Sequence, residues 1–94
     1  MQELEQARKE LDEVDRMLVQ CFEARMQISR EIARIKRSHG LEVLDTGREQ
    51  KVLESRAGML QDPALQEAVK TLYQTIMALS RAEQQKIMED SGCV

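Results

Sequence analysis

The sequence predicts an all-α protein, and two observations, its apolar pattern and its composition, support that class. Apolar residues recur every seven positions through the first third of the chain, the pattern of a helix packed along other helices. Proline occurs once and aromatic residues make up 2% of the chain, while charged residues make up 33%, a composition that suits a helical bundle better than a sheet. We expect three helices, long, short and long, intertwined as a homodimeric bundle.

The first helix is expected to run from about Glu3 to His39, with Gly40 as a left-handed C-terminal cap. About 35 residues at 1.5 Å per residue make a rod of about 50 Å. A chain of 94 residues is too small to cover such a helix, so a second chain is expected along it. The apolar seam has two rows, which are Leu4, Leu11, Leu18, Arg25 and Ile32, and Ala7, Val14, Cys21, Ile28 and Ile35.

Two shorter segments complete the domain after a connector, Leu41 to Asp45. Thr46-Gly47-Arg48-Glu49 matches the capping box that opens a helix, and Gly58 weakens the last turn of this second helix. Asp62-Pro63 predicts an N-cap and a first helical residue for the third helix. Residues 1–90 are expected to form one helical domain and residues 91–94 a disordered tail. The expected inward residues are Val52, Leu53 and Leu60 on the second helix, and Leu65, Val69, Leu72, Ile76 and Leu79 on the third.

Charge and composition argue against several classes of protein. A net charge of −3 argues against a nucleic-acid-binding domain, which usually carries a basic excess. Cys21 and Cys93 form no disulfide framework and lie in no zinc-binding spacing, so Cys21 is expected in the core. We expect no metal and no cofactor, since neither a metal cluster nor a phosphate loop is present. No stretch suits a signal peptide or a membrane span, so a cytoplasmic location without a membrane partner is expected.

Arg25 occupies a seam position where helix packing favours an apolar residue. A charge held there costs several kcal/mol unless a carboxylate side chain or a bound anion faces it. Lys36 follows after about 1100° of helical turn, within about 20° of the same face, and two such cations suit a small anion. Arg8 lies about 25 Å from Arg25 along the helix axis. If Arg8 binds the same anion, it must come from a second, antiparallel chain.

A family resemblance rests on these residues together with others outside the packing pattern. The span from about Leu4 to Glu89 resembles the all-helical class of chorismate mutases, in the small dimeric form like the mutase domain of the bacterial bifunctional chorismate mutase/prephenate dehydratase. The motifs that carry the resemblance are Arg8, Glu23-Ala24-Arg25, Ile35-Lys36, Asp45-x-x-Arg48-Glu49 and Ser80-x-x-x-Gln84.

The resemblance implies an isomerase of phenylalanine and tyrosine biosynthesis that converts chorismate to prephenate by an intramolecular Claisen rearrangement, without a cofactor. It implies that Lys36 and Gln84 are the catalytic residues, which donate to the ether oxygen. Glu49 and the backbone at Asp45 would hold the ring hydroxyl. The substrate carboxylates would be bound by Arg25, Arg48 and the partner chain's Arg8. Ser80 would help to orient one of the carboxylates.

Two alternatives stay open at this point. An isochorismate-pyruvate lyase of the same fold uses similar cations, although Glu49 favours the mutase because such relatives lack a glutamate at that position. A non-catalytic dimerisation module would use Arg25 only to specify register, so Arg25→Leu would stabilise its dimer with nothing lost. Taken singly, Glu49 is explained better by the capping box than by ligand binding. Gln84 in a helical stripe is more often a buried polar contact that sets register than a catalytic group.

Overall fold

The structure is a computed structural model that describes residues 1–90, and it contains three α-helices and one short 3₁₀ helix. α1 spans Gln2–Ser38, α2 spans Thr46–Gly58 and α3 spans Gln66–Asp90, with the 3₁₀ helix at Pro63–Leu65 leading into α3. The predicted all-α class with long, short and long helices is confirmed. The predictions for Cys93 and for a disordered tail at 91–94 lie outside the described residues.

α1 ends at the predicted glycine. Gly40 has a φ of 66°, and the backbone N–H of Leu41 donates to the Lys36 carbonyl at 2.8 Å while that of Gly40 donates to the Arg37 carbonyl at 3.3 Å. These two bonds form a Schellman motif, which satisfies the last carbonyls of the helix. The left-handed cap is therefore confirmed, and it turns the chain back toward the C-terminal half of α1.

The start of α2 differs from the prediction. Asp45 is the N-cap, and its Oδ1 accepts a hydrogen bond from the backbone N–H of Arg48 at 3.0 Å. Thr46 is already the first helical residue, so the predicted capping box from Thr46 to Glu49 is wrong. Aspartate and threonine both cap helices, and here the aspartate one position earlier takes that role. The Glu49 side chain is thereby left to make a contact outside the helix terminus.

The start of the third segment follows the prediction. Asp62 is an N-cap whose Oδ1 accepts from the backbone N–H of Ala64 at 2.9 Å, and Pro63 is the first residue of the 3₁₀ helix. A proline at this position loses no hydrogen bond, because the first N–H groups of a helix have no partner inside it.

The core lies where α3 packs against α1 and α2. Its buried apolar residues are Met26, Ala33, Val52, Ala57 and Met77. Of the predicted α3 stripe, Leu65, Leu72 and Leu79 are 50%, 47% and 46% exposed in the single chain, whereas Val69 and Ile76 are half-buried, so the stripe does not form the core of one chain. The buried face of α3 carries Met77, Ser80 and Gln84 instead. α1 and α2 both pack against α3, so the polar row, rather than the leucine row, is enclosed.

Much of the α1 seam is exposed in the single chain. Leu11, Leu18 and Ile28 are 57%, 60% and 61% exposed, and Cys21 is exposed too, so its prediction as a core residue does not hold in one chain. The buried residues of α1 all lie in its second half, beside α3. The molecule measures 58 × 29 × 14 Å, the shape of a rod with a short second layer at one end. Within residues 1–90, no helix combines the length and apolar character needed to cross a membrane.

Candidate active site

A cavity of about 370 Å³ lies between the second half of α1, the start of α2 and the second half of α3. It brings together every predicted site residue except Arg8, namely Arg25, Lys36, Asp45, Arg48, Glu49, Ser80 and Gln84. Apolar side chains fill in the walls between them, including Ile28, Ile32, Val52 and Met77. Polar residues that are scattered along the sequence thus line one partly open cavity.

The cavity is strongly cationic in a chain that is acidic overall. Five cationic residues and two acidic ones line it, an excess of three positive charges, whereas the whole chain carries a net charge of −3. Low-dielectric walls strengthen the attraction of such a pocket for an anion. The five cationic residues are Arg25, Lys36, Arg48, Arg56 and Arg81.

Arg25 is partly buried and is held by α3. Its Nη1 donates to Ser80 Oγ at 2.9 Å, and its guanidinium carbon lies 5.8 Å from the centroid of the Tyr73 ring. Among the ion pairs formed within residues 1–90, none includes Arg25. The described chain therefore supplies no carboxylate to neutralise it, and the cavity beside it is left for an anion.

Lys36 joins the end of α1 to the connector. Its Nζ donates to the Val43 carbonyl at 2.7 Å, and both residues line the cavity. Because an ammonium has three N–H donors, this contact leaves two for a ligand. The predicted placement of Arg25 and Lys36 on one face of α1 agrees with their shared cavity.

Gln84 is bound to a residue that the sequence analysis missed. Its Nε2 donates to Ser29 Oγ at 2.8 Å, and the two residues are 8% and 4% exposed. The amide's second N–H is not used by this bond, while Gln84 Oε1 is buried without a hydrogen-bond partner. Ser29 lies one helical turn after Arg25, so the spacing of side chains on one helix face is a signal that could have found it.

Glu49 forms an ion pair with Arg81, another residue missed from the sequence. Arg81 Nη1 lies 2.5 Å from Glu49 Oε1 and 2.6 Å from Oε2. The pair connects α2 to α3 at the edge of the cavity. Nothing in the spacing of the sequence marks Arg81, because its partner lies on a different helix and only the tertiary packing brings them together. Arg56 lines the cavity as well and was also not predicted.

A further link between α1 and α3, from Arg30 to Glu83, lies outside the cavity lining. Lys86 and Arg30 donate hydrogen bonds to Glu83 and lower the pKa of that carboxyl. Arg30 reaches it from α1, so the pair helps to fix the register of the two helices that carry Arg25 and Ser80.

Arg8 lies outside this site in the single chain. It is an exposed residue in the first half of α1 and does not line the cavity. One chain therefore brings together all the predicted residues except the one expected from a partner.

Fold and site together define a small all-helical protein with a cationic, anion-sized pocket. The sequence profile of the family described as chorismate mutase type II matches residues 7–85, and the chain belongs to that family. The resemblance inferred from the scattered motif is thereby confirmed. The chain is also similar to the T-protein of Haemophilus influenzae, with 34% identity over 56 residues, which is 60% of this chain and 15% of that relative. No solved structure gives a significant match.

Proposed function

We propose that the chain is a chorismate mutase, an isomerase that converts chorismate to prephenate. One observation carries the proposal: a single cavity gathers Arg25 and Lys36 from α1, Arg48 from α2 and Gln84 from α3. Membership of the chorismate mutase type II family supports the same reaction. We also propose a cytoplasmic location, as for an enzyme that acts on a charged metabolite.

The reaction is an intramolecular rearrangement in which an ether C–O bond breaks while a C–C bond forms. No proton, electron pair or group leaves the substrate, so the protein needs no nucleophile. The protein has to hold a flexible dianion in its compact reactive shape. The substrate then loses conformational entropy when it binds rather than on the way to the transition state, so the activation barrier is lower. Arginine suits this task because its fork binds carboxylates with two hydrogen bonds and stays charged. Arg25 and Arg48 take this role in the proposal, and Ser80, which accepts a hydrogen bond from Arg25, helps to orient a carboxylate.

Negative charge develops on the ether oxygen as its bond to carbon breaks. Lys36 and Gln84 donate hydrogen bonds to that oxygen in the proposed mechanism. Both are already held by the protein, Lys36 by the Val43 carbonyl and Gln84 by Ser29, so little reorganisation is needed when the charge appears. Glu49 and the backbone at Asp45 bind the ring hydroxyl. Arg8 completes the carboxylate site.

Arg8 makes the proposed enzyme a homodimer. Within one chain Arg8 is remote from the cavity, and an antiparallel partner helix is the arrangement that returns a second Arg8 to it. The exposed leucines and isoleucines of α1 and α3 supply the apolar surface that such a dimer would bury. The proposed assembly is therefore two chains with two sites, each site completed by the other chain's Arg8.

The test is a spectrophotometric assay of chorismate loss by the purified chain, with the product identified. Prephenate is the expected product. Isochorismate, supplied separately, tests the lyase: its conversion to pyruvate and salicylate without turnover of chorismate would favour that enzyme. Arg25→Leu is the matched variant, since it should remain dimeric and lose activity. No turnover of either substrate, together with no rise in melting temperature on adding a small dicarboxylate, would favour the dimerisation module.

A further inference from the structure

The Arg81–Glu49 ion pair lies within the cavity lining, and whereas Glu49 is proposed to bind the ring hydroxyl, Arg81 has no role in the mechanism above. Its two side chains are 37% and 25% exposed, so water screens the pair less than an ordinary surface contact. One guanidinium nitrogen contacts both carboxylate oxygens of Glu49. The contact fixes the carboxylate relative to α3, the helix that also carries Ser80 and Gln84.

The pocket has a charge problem that this pair addresses. A site for a dianion is lined by two carboxylates, Asp45 and Glu49. The negative charge of the Asp45 side chain is stabilised at the N-terminus of α2, where its Oδ1 accepts a hydrogen bond from the backbone N–H of Arg48. Glu49 lies in the first turn of α2, and within residues 1–90 its side-chain ion pair is with the guanidinium of Arg81. Without Arg81, the positive excess of the lining would fall and the Glu49 charge would lack its ion-pair partner, so the attraction for the substrate carboxylates would weaken.

Pairing with Arg81 leaves Glu49 able to bind a hydroxyl. A carboxylate offers about four lone-pair positions, and two contacts from one nitrogen do not fill them. Glu49 can therefore accept from an O–H group while its charge is offset from the opposite side. A neutral glutamine could not provide the same strength of acceptor.

We propose that Arg81 is a positioning residue that neutralises and orients Glu49, so that the cavity admits a dianion and still offers an acceptor for its hydroxyl. This inference rests on the proposed function and extends it to a residue that does not touch the substrate. Arg81 acts only through Glu49, and that dependence makes it testable.

The experiment measures kcat and KM for chorismate in Arg81→Met, Arg81→Lys, Glu49→Gln and the double variant Glu49→Gln/Arg81→Met. Methionine keeps the length and helix propensity of the side chain but removes its charge. We expect Arg81→Met to raise KM about tenfold with a smaller change in kcat, and Arg81→Lys to recover most of that loss. In the Glu49→Gln background, Arg81→Met should cost less than about twofold, because no carboxylate remains to be compensated.

Arg34→Met is the control, since Arg34 is an exposed residue of α1 whose described ion pair is with Glu31 in the same helix. It should leave KM unchanged. An equal cost of Arg81→Met in both backgrounds would mean that Arg81 binds the substrate itself. A lower melting temperature with unchanged KM would mean that the pair only joins two helices. Either result overturns the inference while the proposed function stands, whereas an inactive wild-type chain removes both.

Discussion

Replacing Leu18 with alanine should weaken self-association of the chain. Leu18 is 60% exposed in the single chain, in the middle of the α1 seam. Leu→Ala costs about 2 to 5 kcal/mol at a fully buried site. Only the part of the Leu18 side chain that becomes buried in the dimer contributes to dimerisation, so each substitution should weaken association by about 1 to 3 kcal/mol. Because each dimer holds two copies, the total is about 2 to 6 kcal/mol, which raises the dimer Kd between about thirtyfold and about twenty-thousandfold.

The assay is sedimentation velocity over a concentration series, which gives the dimer Kd of the wild-type and variant chains. Arg16→Ser is the matched control, because Arg16 lies on the face of α1 opposite the seam and its side chain is 66% exposed. It should leave Kd unchanged. The reasoning is refuted if the wild-type chain is a monomer at micromolar concentration, or if Leu18→Ala dimerises as tightly as wild type.

Three further predictions concern the site and its frame. Lys36→Ala and Gln84→Ala should each lower kcat by roughly a hundredfold, since losing one preorganised donor costs about 3 kcal/mol; near-native turnover in both variants would refute their role. The wild-type activity should stay level from pH 5 to 7, because an amide at Gln84 donates without first taking up a proton; a steep fall across that range would count against it. Gly40→Ala should lower the free energy of unfolding by about 1 kcal/mol in a denaturant titration, since the φ of 66° strains any residue with a Cβ; an unchanged stability would contradict that cause.

The sequence was a good guide to helices whose signals are local. Gly40 ends α1 and Asp62-Pro63 opens the segment before α3, because each motif acts through its own backbone geometry. The cap of α2 was harder, since Asp45 and Thr46 are adjacent and both residue types cap helices. Local chemistry could not decide which of the two would be used.

The core of α3 could not be assigned from its pattern alone. The leucine row and the row of Met77, Ser80 and Gln84 are both regular stripes, and hydrophobicity selects the leucines. In the single chain the polar row is buried because it faces α1 and α2. A hydrophobic pattern shows which surface will be covered, but it does not say whether the same chain or another covers it.

The candidate site was predicted better than the packing around it. Arg25 and Lys36 share a face of one helix, a relation that spacing alone specifies. Their meeting with Arg48, Ser80 and Gln84 came from the family resemblance, which carries tertiary information that periodicity lacks. Neither helix spacing nor the family resemblance identified Arg81. Its ion pair with Glu49 joins α2 to α3, and no local sequence pattern specifies such a contact.

The most direct test of the shared site is the activity of a purified heterodimer of Arg8→Ala and Lys36→Ala chains, co-expressed with different tags. Each homodimer should be nearly inactive. If Arg8 serves the partner's cavity, the site on the Arg8→Ala chain combines its own intact Lys36 with the intact Arg8 of the Lys36→Ala chain. One of the two sites is then complete, and about half of the wild-type activity should return. If both residues serve the same chain, each site keeps one defect, and a heterodimer as inactive as its parents would contradict the account.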